Sequence, residues 1–238
     1  MIYLTLGKGE ISLNTKNKII NSAIKNFFNL GYEKTSLSLI ASEVGIKKPS
    51  IYYHFKNKEE LFILSINHIL DSLEDQILTS IKKVDSSKAM LENIFSCLIE
   101  FNSNLSIMVG NNYNKPINML NLFHLGRNRF PSLGERIDNY YNFLNDTITN
   151  IVRIGQKNNK IRTDLSEESL ALEIIAWLEG LFMLSTIYSS FNINSIRQNL
   201  YDNMWKMISA EATPKTKTKK SFFKKKSFSK TISLGTKW

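Results

Sequence analysis

Apolar residues recur at helical spacing from about residue 14 to residue 210, and no segment alternates with a period of two. This pattern predicts an all-α fold. A first helix is expected over about 14–29, with Ile20, Ala23, Ile24, Phe27 and Phe28 as its apolar stripe and Gly31 as its stop. A short one follows, with Leu37, Ile40, Ala41 and Val44 on one face. Thr35 or Ser36 can cap its start, because a hydroxyl accepts from the open amides of a first turn. Gly45 ends it, as the residue that reaches a left-handed conformation most cheaply. Pro49 sits in the first turn of the next helix, about 48–54, where a missing amide costs nothing. Helix, tight turn and helix over 36–55 make a helix-turn-helix, whose second helix enters the DNA major groove.

Beyond it, Asn57-Lys-Glu-Glu60 reads as a capping box opening a long helix over about 58–82, with Leu61, Phe62, Leu64, Ile69, Leu73 and Ile77 apolar. Further helices are expected from Ser86-Ser87 to about Val109, over 117–129, from a second capping box at Ser132-Leu-Gly-Glu135 to about 158, over 166–189 and over 193–210. Asn111-Asn112 and Pro116 break the chain between the first two of these. No run approaches the ~20 apolar residues of a membrane span, and the N-terminal stretch lacks the apolar core of a secretory signal.

Charge sharpens this picture. The net charge of +10 is uneven: residues 8–58 carry nine lysines against three glutamates, residues 212–238 carry nine lysines and no acid, and the middle is mildly acidic. The first basic segment coincides with the helix-turn-helix, the electrostatic footprint expected for DNA. Taken alone it also fits a solvated, lysine-rich surface.

Residues 15–62 resemble the DNA-binding domain of the TetR-type bacterial transcriptional regulators. The resemblance rests on Ala23, Phe27, Gly31-Tyr32, Thr35, Ile40-Ala41, Gly45-Ile46, Tyr52-Tyr53-His54-Phe55 and Lys58-Glu59-Glu60-Leu61. It implies a three-helix DNA-binding domain followed by a larger helical domain for effector binding and dimerisation. The expected organisation is an N-terminal arm over 1–13, the helix-turn-helix domain over 14–57, the helical domain over 58–210 and a basic, disordered tail over 211–238. The long helix is the expected link between the two domains. Lys47 departs from the family, which often caps the recognition helix with Ser or Thr there. The departure weakens the cap by ~1 kcal/mol and adds a positive charge.

By this resemblance Lys48, Pro49, Ser50, Tyr52 and His54 face the groove, and Lys58 meets a phosphate. The residues themselves agree for Lys48 and Ser50, which lie near the helix start within reach of base edges, and for Tyr52, which offers a ring and a hydroxyl. Thr35, Ser36 and Ser38 are expected to add phosphate contacts, with Lys47 beside them. Tyr53 is balanced between the DNA face and the core; Ile51 and Phe55 are expected in the core.

The resemblance also implies an effector cavity. Candidates for its lining are Phe95, Leu98, Phe101 and Met108, then Leu120, Phe123, Phe143 and Trp177; each also fits a plain helical core. His124, Arg127 and Arg129 meet either an anionic ligand or the surface. Residues 122–154 and 161–184, with Arg162 and Glu179-Gly180-Leu181, resemble TetR-type regulators of fatty-acid degradation, which implies a long-chain acyl ligand. Trp177, Gly180, Leu181, Leu184 and Tyr188 are the expected dimer face.

The reading is a cytoplasmic, homodimeric repressor that binds a palindromic operator and is released by an apolar small-molecule effector. A second reading is a DNA-bound structural or interaction protein without an effector, whose tail, with Phe222, Phe223 and Phe228 among lysines, engages a membrane or a protein. No enzyme, cofactor or metal is expected: His54, His68, His124 and Cys97 have no zinc-ligand spacing, and no phosphate loop or nucleophile elbow is present. A single cysteine excludes an intrachain disulfide.

Overall fold

Two glycines shape the N-terminal domain in the computed structural model, which describes residues 15–111, 117, 119–188 and 190–212. Gly31 takes φ 80° and ψ 167° inside α1 (Thr15–Lys34) and kinks it. Gly45 takes φ 76° and closes α2 (Leu37–Val44), its amide reaching back to the helix carbonyls. Both angles lie where only glycine sits without strain. Ser36 caps α2, its hydroxyl accepting from the Leu39 amide at 3.2 Å. The recognition helix α3 (Lys48–Tyr52) begins at Lys47, whose side chain makes no cap bond, and Pro49 occupies its first turn.

Asn57 caps α4 (Lys58–Ile81) by accepting from the Glu60 amide at 2.8 Å. Glu60 reaches back one residue further than a capping box requires, to the amide of Lys56. Then come α5 (Ser87–Met108), α6 (Met119–Arg129), α7 (Pro131–Lys157), α8 (Glu167–Ile187), α9 (Ile193–Ile208) and a 3-10 turn at Ala210–Ala212. The capping box expected at Ser132 does not form. α7 starts two residues earlier, with Pro131 as first residue and Phe130 as a cap without a side-chain bond; proline's fixed φ already suits a first turn. Among the described residues there is no strand, only an isolated antiparallel bridge between Ile161 and Ser209. The expected arm and the basic run beyond Ala212 lie outside the described residues.

A single apolar core runs through both halves of the chain. Its junction is aromatic. The Phe62 ring of α4 stands edge-on to Phe27 at 4.9 Å and to Tyr32 at 5.1 Å, and lies 5.5 Å from Phe130. α4 packs on α1, α5 and α7. Arg136 of α7 clamps it from outside, donating to Glu74 and Asp71 at 2.8 Å each.

Near the far end, α7 meets the chain that leads into α8. A Cβ on Gly155 would lie 2.4 Å from Ile161 Cδ1, 2.7 Å from its Cγ1 and 2.9 Å from Ser87 Oγ. Ile161 is fully buried, and Ser87 Oγ crowds the same position. Gly155→Ala is therefore expected to cost about 1–3 kcal/mol by overpacking, read as a lower urea midpoint. An unchanged midpoint would show that Ile161 moves aside freely and that the contact is not limiting.

α8 departs from the sequence expectation about spans. It has 21 residues with mean hydropathy 1.7 in its most apolar window, long and apolar enough by those counts to cross a membrane. Its burial argues for another use. Leu170, Ile174, Leu178 and Leu181 face the protein's own core, whereas Leu172 is 63% and Ile187 69% exposed. A helix apolar all round but buried on one side has apolar surface left for a neighbour.

Candidate nucleic-acid interface and ligand cavity

The recognition helix is held by what it buries. Ile51 and Phe55 are sealed in the core, which turns Lys47, Lys48, Pro49, Ser50, Tyr52 and Tyr53 outward. Tyr53 is 87% exposed and belongs to the open face. Tyr52 is half exposed, and His54 is half-buried with its ring edge-on to Tyr53 at 5.0 Å. Ser36 and Ser38 are exposed on α2, which packs against α3. Neither Lys47 nor Lys48 has an acidic partner among the described residues. The result is an exposed face with two uncompensated cations, hydroxyls and two tyrosine rings.

Two expected members of this face are placed elsewhere. Thr35 is buried, and its hydroxyl donates to the Gly31 carbonyl at 2.8 Å. It bridges the kink in α1 rather than a phosphate, because the adjacent Ser36 has taken the cap. Lys58 is half-buried: Nζ donates to the Tyr32 carbonyl at 2.9 Å and lies 4.3 Å above the Tyr32 ring. Its charge braces α4 against the end of α1.

The larger half holds an apolar slot between α4, α5, α6, α7 and α8, with a volume of about 40 Å³. Of the residues expected to line it, Leu98, Leu120 and Phe123 do. The Phe95 and Trp177 rings lie tilted against each other at 5.6 Å, and Phe95 lies 6.0 Å from Tyr201 of α9. Phe101 is fully buried, while Met108 and Phe143 pack against the core from outside. These five lie off the slot because α5, α7 and α8 turn other faces to it.

Sequence reasoning missed the slot's polar members: Asn102, Tyr140, Glu179 and Thr186. Asn102 is committed, its side-chain amide donating to the Ile117 carbonyl at 3.2 Å and accepting from the Ile117 amide at 3.3 Å. Thr186 donates to the Met183 carbonyl at 2.7 Å. Glu179 accepts from the Tyr141 hydroxyl at 3.0 Å. Burial raises the Glu179 carboxyl above the usual range, and the Tyr141 bond offsets part of that rise. Burial and the neighbouring Glu179 charge push the Tyr140 phenol far up. The one available signal for Glu179 was an acid alone in an apolar helical run.

α6 joins slot and DNA-binding domain. It begins with Met119, Leu120 and Phe123 on the slot. It ends with Arg129, which pairs with Glu33 and stands 4.6 Å over the Tyr32 ring. His124 and Arg127 are surface residues, paired with Asn128 and Asp138. In the expected dimer face, Gly180, Leu184 and Tyr188 are exposed, Trp177 is half-buried, and Leu181 turns into the core. A Cβ on Gly180 would meet nothing within 4 Å. No cluster of metal-ligating side chains occurs among the described residues. Burial pushes the Cys97 thiol up to about 11, which disfavours the nucleophilic thiolate.

Residues 19–64 match the family model of the bacterial regulatory proteins of the tetR family. The chain carries a TetR-family DNA-binding domain. The TetR-type portion is also similar to the biofilm operon icaADBC HTH-type negative transcriptional regulator IcaR of Staphylococcus aureus, with 37% identity over 86 residues, 36% of this chain and 45% of that protein. The chain thus spans about half the length of this relative. Solved structures extend the likeness of fold to the helical half. A transcriptional regulator from Saccharomonospora viridis in complex with choline superposes with TM-score 0.67 at 20% identity, over 82% of this chain and 97% of that one. FadR from Bacillus subtilis in complex with stearoyl-CoA superposes with TM-score 0.63 at 17% identity, over 80% and 98%. The TetR-type architecture of a helix-turn-helix domain on a larger helical domain therefore holds for the chain.

Proposed function

We propose that this chain is a transcriptional repressor that binds a palindromic operator as a homodimer and leaves it when a small molecule enters the slot. The observation that carries the reading is α6, one helix that lines the slot at its start and grips Tyr32 and Glu33 of the DNA-binding domain at its end. A ligand shifts the equilibrium between DNA-competent and incompetent states only by its difference in affinity for them. A slot that must widen to accept a guest, coupled to the reading head through α6 and α4, supplies such a difference.

A pair of subunits follows from the surface and from the task. One five-residue recognition helix reads few base pairs, and two related by a two-fold axis read two half-sites. The outward apolar side chains of α8 and α9, among them Leu172, Ile187 and Met207, are the proposed contact. The domain boundaries near residues 14, 58 and 211 and a cytoplasmic location belong to the same proposal. The slot weighs against the reading as a DNA-bound structural protein, which has no use for it. Proteins of this fold hold guests as different as choline and stearoyl-CoA, so the fold alone leaves the ligand open.

The test is a genome-wide pull-down of DNA fragments by the purified protein at physiological salt, followed by sequencing. The expected result is a small set of fragments sharing a palindrome. Diffuse recovery of all DNA, lost as salt rises, would sink the operator reading and move the structural one ahead.

A further inference from the structure

The slot has an electrostatic character that its apolar walls conceal. Every described charged side chain on it is one residue, Glu179; no Lys, Arg or His lines it. Glu179 is in no ion pair among the described residues. One of its oxygens is held by Tyr141, which leaves the other open. Taking a carboxylate out of water without a cation is unfavourable unless something compensates it. The rings of Phe123, Tyr140 and Phe182 share the same walls. Aromatic faces attract a cation, most strongly where water is excluded.

We propose that the slot binds a lipophilic monocation, an ammonium or similar group carrying an apolar chain, with Glu179 as its counter-charge and Phe123, Tyr140 and Phe182 as its ring contacts. This rests on the reading of the slot as the effector site. A fatty acid fits poorly, since its carboxylate would enter a wall that already holds a negative charge with no cation to receive it. The guest needs more room than the 40 Å³ now present. Met119 and Met183 supply it, being flexible side chains on the wall that change rotamer at little cost. Met119 opens α6, so the widening is felt by the helix that reaches Tyr32.

The test is calorimetric titration of the full chain, wild type and Glu179→Gln, with decyltrimethylammonium, decanoate and 1-decanol. The wild type is expected to bind the ammonium about tenfold or more tighter than decanoate. Glu179→Gln is expected to weaken the ammonium by roughly thirtyfold or more, the usual consequence of removing one partner of a desolvated charge pair, and to leave decanol unchanged. Decanoate binding as tightly as the ammonium, or a Gln variant with unaltered selectivity, would overturn the proposal. Binding of decanol alone would also overturn it, leaving a neutral apolar site, and binding of none of the three would remove the site itself. Operator release is read separately. Ammonium that binds through Glu179 without loosening the DNA would uphold this assignment and overturn the effector reading instead.

Discussion

Phe62→Ala should lower the unfolding free energy by roughly 3–5 kcal/mol, the cost of truncating a fully enclosed aromatic ring. Phe62 is 0% exposed, and its ring packs at once against α1 through Phe27 and Tyr32 and against the α6–α7 corner through Phe130. Edge-to-face pairs contribute about 0.5–1.5 kcal/mol beyond buried area, and this ring takes part in two of them. The site has little capacity to collapse around the hole. The carbon that a side chain at Gly126 would add lies 3.9 Å from Phe62 Cε1, and the flanking rings are held by α1 on one side and by the α6–α7 corner on the other. Urea unfolding followed by circular dichroism measures the loss. The same experiment tests the continuity of the core, because a separately folding N-terminal domain would give a second transition. A loss below about 1 kcal/mol would mean that neighbouring rings close the gap and that the junction is softer than its geometry implies.

Tyr52→Ala should leave the fold intact and weaken operator binding by about 1–3 kcal/mol, or roughly fivefold to 150-fold, with relaxed sequence preference. Tyr52 is half exposed, so its loss leaves no cavity, while its neighbour Ile51 keeps the helix anchored. Lys48→Ala should act differently. It removes an uncompensated cation, so affinity should fall across all sequences and the salt dependence should shallow by about one counterion. Gel-shift or fluorescence titration with a fragment from the pull-down, at several salt concentrations, separates the two. A Tyr52→Ala protein with wild-type affinity and specificity would remove that residue from the interface.

The parts of this protein legible in its sequence are those fixed by local chemistry. A hydroxyl or amide side chain at a helix start, a glycine that must turn left-handed and a proline in a first turn each act within four residues, so Ser36, Gly45, Pro49 and Asn57 read correctly from the string. The ambiguity between Thr35 and Ser36 marks the limit of that kind of reading. Both can cap, only one can occupy the position, and the loser turns inward. Lys58 shows a second limit, since a lysine beside a DNA-binding helix looks free until the Tyr32 carbonyl is seen beneath it. For the slot, periodicity identifies which residues leave the solvent but cannot say whether they meet a wall or a gap. Leu98 lines the slot and Phe95, one turn earlier, does not. That difference is decided by how α5 rotates against α8 and α9, a matter of packing between elements distant in sequence.

α4 is 24 residues long, about 36 Å at 1.5 Å per residue. Levers of that length amplify. A tilt of about 5° at one end displaces the other by about 3 Å, close to the ~3.4 Å spacing of successive base pairs on one strand. Two such arms, moving in opposite directions about a two-fold axis, would fall out of register with the DNA by more than a full base step. Under the proposed mechanism the protein need not refold or come apart to let go of DNA; it needs only to lose count.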